Sequence, residues 1–376
     1  MKKTKIIAVL LVVLMASAAF MSGCGGAQEL AATVGDREIT VQQLETSYFN
    51  ASSYASYYGY SLDTDEGIAS FVEYLLDGLV TSEMKIYQAK LAGVTLSDEE
   101  EASAKETAQS NYDDTYQSFI DQATKAGASN VEAYAKTLFT DALVSNKTTI
   151  RKLKASMLEQ AEDNLLISKH QEQILDGVEL TDEELLEKYD EELASQKELF
   201  DETPSMYFTY ESYAAYGYYA PPIYVPDGFF RVRQILVADE ATALEVKEKI
   251  DAGEDFEKLL AEYNTDPGMT SEDYKDGYLI GEGANYVDEF LGAALALEND
   301  GDVSAPVESD YGWHIIKRVS TESAHDIPYA DVQETLDAYL QTQYQTDYYQ
   351  GIVDGWIADE SLVVTYPENY ASVGIN

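Results

Sequence analysis

Between Arg231 and Val319 the hydrophobic period of the chain switches from two to 3.6 and back, and no other feature restricts the fold as much. Arg231 to Val237 alternates as a strand, with Val232, Gln234 and Leu236 on one face. Ala243, Val246 and Ile250 then recur at helical spacing up to a stop at Gly253. Phe256, Leu259, Leu260 and Tyr263 mark a second helix, with Asp255 placed to cap it. Thr265-Asp266-Pro267-Gly268 predicts a turn. Phe290, Ala293, Ala294 and Leu297 form a third helical face that closes near Gly301, and Tyr311 to Val319 is a final strand. Strands and helices exchanging within about 90 residues predict a compact α+β domain with its own core.

Ahead of this unit the pattern is helical. Ala32 to Thr40 alternates around Gly35-Asp36 and predicts a small hairpin, after which Thr40 and Gln43 form a capping box. From about Gly67 to Gln196 helices dominate. Phe71, Tyr74, Leu75 and Leu79 share one apolar face, which is interrupted by Gly78. A helical Gly costs about 1 kcal/mol against Ala. Ser97 with Glu100 and Thr181 with Glu184 are further capping boxes. This stretch holds no cysteine and no histidine before His170, so it predicts a scaffold or a binding surface.

Residues 204–226 change character: Tyr207, Tyr210, Tyr213, Tyr216, Tyr218, Tyr219 and Tyr224 stand among Pro204, Pro221, Pro222 and Pro226. Prolines break helices, so a domain linker is expected here. Its tyrosines suit either adaptable contacts to unfolded chains or packing on their own protein, and the sequence leaves both open. Val332, Leu336, Tyr339 and Leu340 predict a later amphipathic helix, and Leu362 to Tyr366 a closing strand. That tail is too small to fold alone and is expected to dock on the N-terminal helices. The division expected is 1–23 leader, 24–30 tether, 31–203 helical domain, 204–227 linker, 228–321 α+β domain and 322–376 docking tail.

Formal net charge is −45, which repels nucleic-acid phosphates and excludes nucleic acid as a partner. Anionic lipid is repelled too, so membrane attachment needs something other than a basic patch. A hydrophobic content of 45% argues against a disordered acidic chain. Lys2, Lys3 and Lys5 precede the apolar run Ile6 to Phe20, which is shorter than the roughly 20 residues of a membrane-spanning helix and reads as a signal peptide. Met21-Ser22-Gly23-Cys24 resembles the lipobox of bacterial lipoproteins, with Met21 where that pattern prefers Leu. The resemblance implies cleavage after Gly23, diacylglyceryl attachment at the Cys24 sulfur, and an extracytoplasmic protein anchored to the outer face of the cell membrane. The alternative is a plain secretory signal. Cys24 is the one cysteine, so no intramolecular disulfide forms. Two acyl chains, at about 0.8 kcal/mol per buried CH₂, make a firm anchor.

Five segments carry a second resemblance: Arg231 to Val237, Gly253 to Phe256, Tyr263 to Asp266, Gly301 to Val307 and Tyr311 to Lys317. In this order and spacing they resemble the parvulin-type peptidyl-prolyl isomerases, strongly over residues 228–321. The lipobox, the hairpin with its helices and the C-terminal helix extend the likeness to PrsA foldases, with SurA and PpiD as more distant relatives. The implied fold is α+β, a parvulin-like domain of small antiparallel sheet and surrounding helices inserted in a mostly α-helical chaperone body. The implied activity is prolyl isomerisation without cofactor or metal, on X-Pro segments of unfolded or newly secreted proteins, and the resemblance leaves room for a homodimer.

Carried over residue by residue, His314 matches the second of the family's two histidines and Asp266 its Cys/Asp position. Phe290 matches the pocket phenylalanine, Tyr286 stands where the pocket methionine usually sits, and Ser309 and Tyr311 fall at hydroxyl positions before His314. The first histidine is replaced by Gln234, which can donate and accept at once but cannot titrate near neutrality. The alternative is therefore a non-catalytic chaperone that uses the parvulin fold to bind peptides. His170 and His325 stand outside any metal-ligand spacing. The acidic stretch after Val237 lacks the basic cluster of phospho-specific parvulins.

Overall fold

The computed structural model describes residues 29–146 and 148–375; the leader and Cys24 lie outside the described residues. The predicted hairpin is β1 (Leu30–Val34) and β2 (Arg37–Thr40), turned at Gly35 with φ of 57°. Helix α1 (Val41–Ala51) starts on the Thr40–Gln43 capping box, in which Thr40 N–H donates to Gln43 Oε1 at 2.7 Å. Helices α2 (Asp65–Leu91), α3 (Asp98–Lys125), α4 (Val131–Ser145), α5 (Ile150–Leu175) and α6 (Asp182–Glu202) follow. The capping boxes expected at Ser97 and Thr181 open α3 and α6. Next come α7 (Met206–Ala214), β3 (Tyr224–Val225), β4 (Phe230–Val237), α8 (Glu240–Asp251), α9 (Phe256–Tyr263), β5 (Tyr278–Ile280), α10 (Asp288–Leu295), β6 (Val307–Ser309) and β7 (Gly312–Thr321). β8 (His325–Asp326), α11 (Tyr329–Ile357), β9 (Val363–Thr365) and α12 (Pro367–Tyr370) complete the chain. Among the described residues no helix is long and apolar enough to cross a membrane.

Two compact units emerge among the described residues: those up to 178 together with those from 346 onward, and residues 179–345. In the first unit the tail returns to the start, because β9 pairs antiparallel with β1, Val34 facing Val363, in a sheet of order β2-β1-β9. Its core joins Ala32, Val34, Ile39 and Leu44 to Val72, Leu76, Val80 and Met84 of α2. The buried stripe of α2 is therefore rotated from the predicted one. Phe71 is inside, but Tyr74, Leu75 and Leu79 lie at its margin, where a tyrosine keeps its hydroxyl near water. A second layer packs Ala104 and Ala108 of α3 against Leu153, Met157 and Ala161 of α5, the small alanines letting the helices close up.

A half-buried ion network ties the hairpin to these helices. Arg37 pairs with Glu83 of α2 and, at 3.2 Å, with Asp163 of α5, which also holds Lys90 at 3.2 Å. Arg37→Met leaves two carboxylates facing each other without their shared cation. We expect a loss of about 3 kcal/mol in the first unit, since breaking an enclosed pair strands the remaining charge. Urea unfolding followed at Trp356, which stacks on buried His170 in this unit, measures it.

The second unit begins earlier than composition suggests. Residues 204–226 do not form a loose linker: they contain α7, and Tyr207, Phe208, Ala220, Ile223, Tyr224 and Val225 are buried. Phe208 stacks on Phe229 at 5.0 Å, and the absent side chain of Gly281 makes the room, because a Cβ there would lie 2.5 Å from the Phe229 ring. Gln196 of α6, fully buried, accepts from Ile223 N–H at 2.7 Å and donates to Pro221 O at 3.1 Å. Prolines stop the helix here without freeing the chain, because aromatic burial outweighs the loss of helical hydrogen bonds.

At the centre stands an antiparallel sheet of order β5-β4-β7-β6. Alternation along β4 and β7 gives it two apolar faces. Ile235, Val237 and Ile315 face Ala243, Val246, Phe256 and Leu259 of α8 and α9. Phe230, Val232 and Ile316 face Phe290, Ala294 and Leu297 of the α10 side.

Candidate active site

Register brings the key polar pair together. Gln234 pairs with Ile316 and Leu236 with His314, so Gln234 and His314 are diagonal neighbours on the face that looks toward α10. Both are buried, 6% and 4% exposed. Gln234 Nε2 donates to Asp266 Oδ2 at 2.6 Å, and Gln234 Oε1 lies 2.6 Å from His314 Nδ1. A carbonyl oxygen only accepts, so Nδ1 carries the proton and Nε2 is left as an acceptor. Ser309 Oγ, 2.6 Å from that Nε2, donates its hydroxyl to it and itself accepts the Tyr311 backbone N–H at 3.1 Å. One chain of hydrogen bonds thus runs Ser309–His314–Gln234–Asp266, with a single polarity.

Asp266 has two functions at once. Its Oδ1 accepts from Gly268 N–H at 2.9 Å and caps the short turn Pro267–Thr270, while Oδ2 faces the site. Tyr278 of β5 also donates to Oδ2, at 2.8 Å. Burial and the Asp266 carboxylate together push the Tyr278 hydroxyl far above its ordinary value, so it stays a donor. Asn264 accepts from the backbone of Leu236 at 2.9 Å and of Asp266 at 3.1 Å, clamping the loop to β4.

Beside this chain stands an aromatic wall. The Phe290 ring meets His314 edge-on at 5.4 Å and Tyr286 at 5.3 Å, and Tyr278 lies 5.4 Å from Tyr286. Of the residues expected from sequence, Gln234, Asp266, Tyr286, Phe290, Ser309 and His314 come together. Tyr311 takes part through its backbone only; its ring is 72% exposed. Tyr278 and Asn264 were not expected as site residues. No local pattern marks Tyr278; the structure shows the room it needs at Gly268, where a Cβ would lie 1.9 Å from the Tyr278 hydroxyl.

Burial pushes the His314 imidazole below its ordinary 6.5, against the pull of Asp266 and Glu289. The folded protein then binds this proton less readily than the unfolded chain. The stability linked to His314 is complete above pH 6.5 and is lost as pH falls through the lowered folded value. Protonation also turns Nε2 into a donor and reverses the Ser309 hydrogen bond. An NMR titration of the His314 ring is expected to give a midpoint below 6.5, with the Nδ1–H tautomer above it.

Residues 235–320 match the Rotamase family, described as a PPIC-type PPIASE domain, and this span holds every residue of the site except Gln234, one position before it. The chain carries a parvulin-type domain and is similar to the PrsA foldases. The foldase protein PrsA of Geobacillus kaustophilus is 51% identical over 92 residues, covering 24% of this chain and 32% of that protein. The foldase protein PrsA of Clostridium acetobutylicum is 25% identical over 326 residues, covering 86% of this chain and 80% of that protein. The first of these matches thus spans about a third of its relative's length. The crystal structure of PrsA from Bacillus subtilis is 23% identical, with 89% of this chain and 94% of that chain covered and a TM-score of 0.23.

Proposed function

We propose that this PrsA-like protein is a peptidyl-prolyl cis–trans isomerase and foldase for secreted proteins, acting outside the cytoplasm from a lipid anchor at Cys24. The observation that carries the catalytic reading is the unbroken chain Ser309–His314–Gln234–Asp266 beside buried Phe290. The barrier to be lowered is the partial double bond of the X–Pro amide, roughly 18–20 kcal/mol. A planar amide is polar and water favours it; the twisted amide has lost conjugation and with it much of that polarity. A dry socket of Phe290, Tyr286 and Tyr278 therefore favours the twisted form over either planar one. His314, Gln234 and Asp266 supply fixed dipoles at the rim, and no proton has to be transferred.

A 15N-labelled sample titrated with a short Xaa-Pro peptide tests this reading. Shifts centred on Phe290, Tyr286 and His314, with exchange between cis and trans peptide signals, are expected. Gln234 in place of a histidine favours a second reading, a peptide-binding module. Under that reading the same shifts occur and the exchange does not accelerate.

The anchor has its own check. Cys24→Ala is expected to abolish acyl labelling entirely and to leave an uncleaved or released protein, because no other thiol is present to form the thioether. Unchanged labelling would remove the lipoprotein reading.

A further inference from the structure

The first unit bears a surface that the prolyl site does not explain. From Glu38 to Met84 the chain has eight carboxylates and no Lys or Arg. Of these acids, Glu83 is neutralised by Arg37. Within this stretch, Phe49 in the last turn of α1 and Tyr54 and Tyr57 between α1 and α2 are 81%, 54% and 83% exposed. Of these rings, Tyr57 is backed by a ladder that reaches the core. Tyr57 packs on Tyr58 at 5.3 Å, Tyr58 on Tyr74 at 5.7 Å, and Tyr74 stacks on fully buried Phe71 at 6.1 Å. The turn that presents them closes at Gly59, whose φ of 83° is the left-handed conformation glycine adopts without strain. A ring held as Tyr57 is loses little freedom when a partner covers it.

Elsewhere the protein places its own cations over the faces of its aromatic rings, Lys154 over half-buried Tyr112 at 3.9 Å and Arg318 over buried Phe230 at 4.1 Å. Around Phe49, Tyr54 and Tyr57 the local sequence offers only carboxylates. Asp77 is even held above the usual carboxylate range, by burial and by the neighbouring charge of Glu73. Anionic lipid and a second copy of a chain with net charge −45 are both repelled by such a field. We propose that the Phe49–Tyr54–Tyr57 surface docks an extended polypeptide segment in which Lys or Arg alternates with apolar side chains. The apolar groups cover the rings, the cations stand over ring faces, and the acids of the α2 start and of Glu73 and Asp77 steer them in.

The test uses the full chain and three labelled peptides, alternating Leu with Lys, Gln or Glu, followed by fluorescence anisotropy. The Lys peptide is expected to bind at least tenfold tighter than the other two, with the advantage shrinking in high salt. The triple variant Phe49→Ser, Tyr54→Ser, Tyr57→Ser is expected to lose at least tenfold in affinity while keeping its circular dichroism. Glu73→Gln with Asp77→Asn is expected to weaken the Lys peptide several-fold and leave the Gln peptide unaffected, which reads the charge contribution without touching the rings. Equal affinity for the three peptides, or full affinity in the triple variant, overturns the proposal. So does a triple variant that loses phosphatidylcholine-vesicle binding or self-association while retaining the Lys peptide. The isomerisation rate on a short prolyl peptide is expected to be the same in the triple variant as in the wild type, so this surface and the prolyl site stand or fall separately.

Discussion

Phe290→Ala is expected to slow isomerisation of a short prolyl peptide by roughly 10- to 100-fold. The ring is buried between His314 and Tyr286 and forms the apolar wall against which a proline ring would pack. Removing such a side chain forfeits about 1.5–3 kcal/mol of apolar contact, and each 1.36 kcal/mol lost from the transition state alone is about tenfold in rate. The same truncation leaves a cavity in the layer shared with Val232, Ile280 and Ile316, at a cost of roughly 3–5 kcal/mol in stability. Folding of the variant is therefore followed in parallel at Trp313, and Phe290→Leu serves as the milder companion. Leu fills most of the cavity and is expected to recover most of the stability and part of the rate. A folded Phe290→Ala variant with the wild-type rate would place the reaction elsewhere.

Gln234→Leu is expected to damage both stability and rate, and Gln234→His neither. Leucine leaves the buried His314 Nδ1–H without its acceptor and Asp266 Oδ2 without one of its two donors. An unmade hydrogen bond of this kind costs about 1–3 kcal/mol. The imidazole is also released from its Nδ1–H tautomer, so Ser309 no longer meets a fixed acceptor. A fall of about tenfold or more in rate is expected, read with the tautomer from the His314 ring nitrogens. Histidine can still donate to Asp266 and accept from Nδ1–H, so Gln234→His keeps the chain intact and is expected to match or exceed the wild-type rate. If Gln234→Leu folds, keeps the tautomer and keeps the rate, the hydrogen-bond chain has no part in catalysis.

Much of this arrangement was legible because it depends on local period and spacing. The caps at Thr40, Ser97 and Thr181 need only two residues three apart, and all three form as expected. The alternation of Arg231 to Val237 put Gln234 on the face where His314 meets it. What stayed hidden depends on partners far away in the chain. Tyr278 reaches Asp266 because β5 pairs with β4, a choice of partner that no local pattern announces. The tyrosine- and proline-rich stretch looked like a linker for the same reason. Its composition reveals that helices end there, but its burial is decided by Gln196 behind it and by Phe229 and Gly281 ahead of it. In α2 the apolar residues outnumber the places in the core, so period alone could not tell which of Phe71, Val72, Leu75 and Leu76 would face inward.

The most direct test of the catalytic reading is the exchange rate between cis and trans forms of a short Xaa-Pro peptide, measured with micromolar full-length protein between pH 5 and 8. Exchange above the uncatalysed rate, highest where His314 is neutral and falling as it takes up a proton below pH 6.5, is the predicted result. Binding of the peptide at Phe290 and Tyr286 with exchange no faster than in buffer at any pH would contradict it, and would make this domain a peptide-binding module rather than an isomerase.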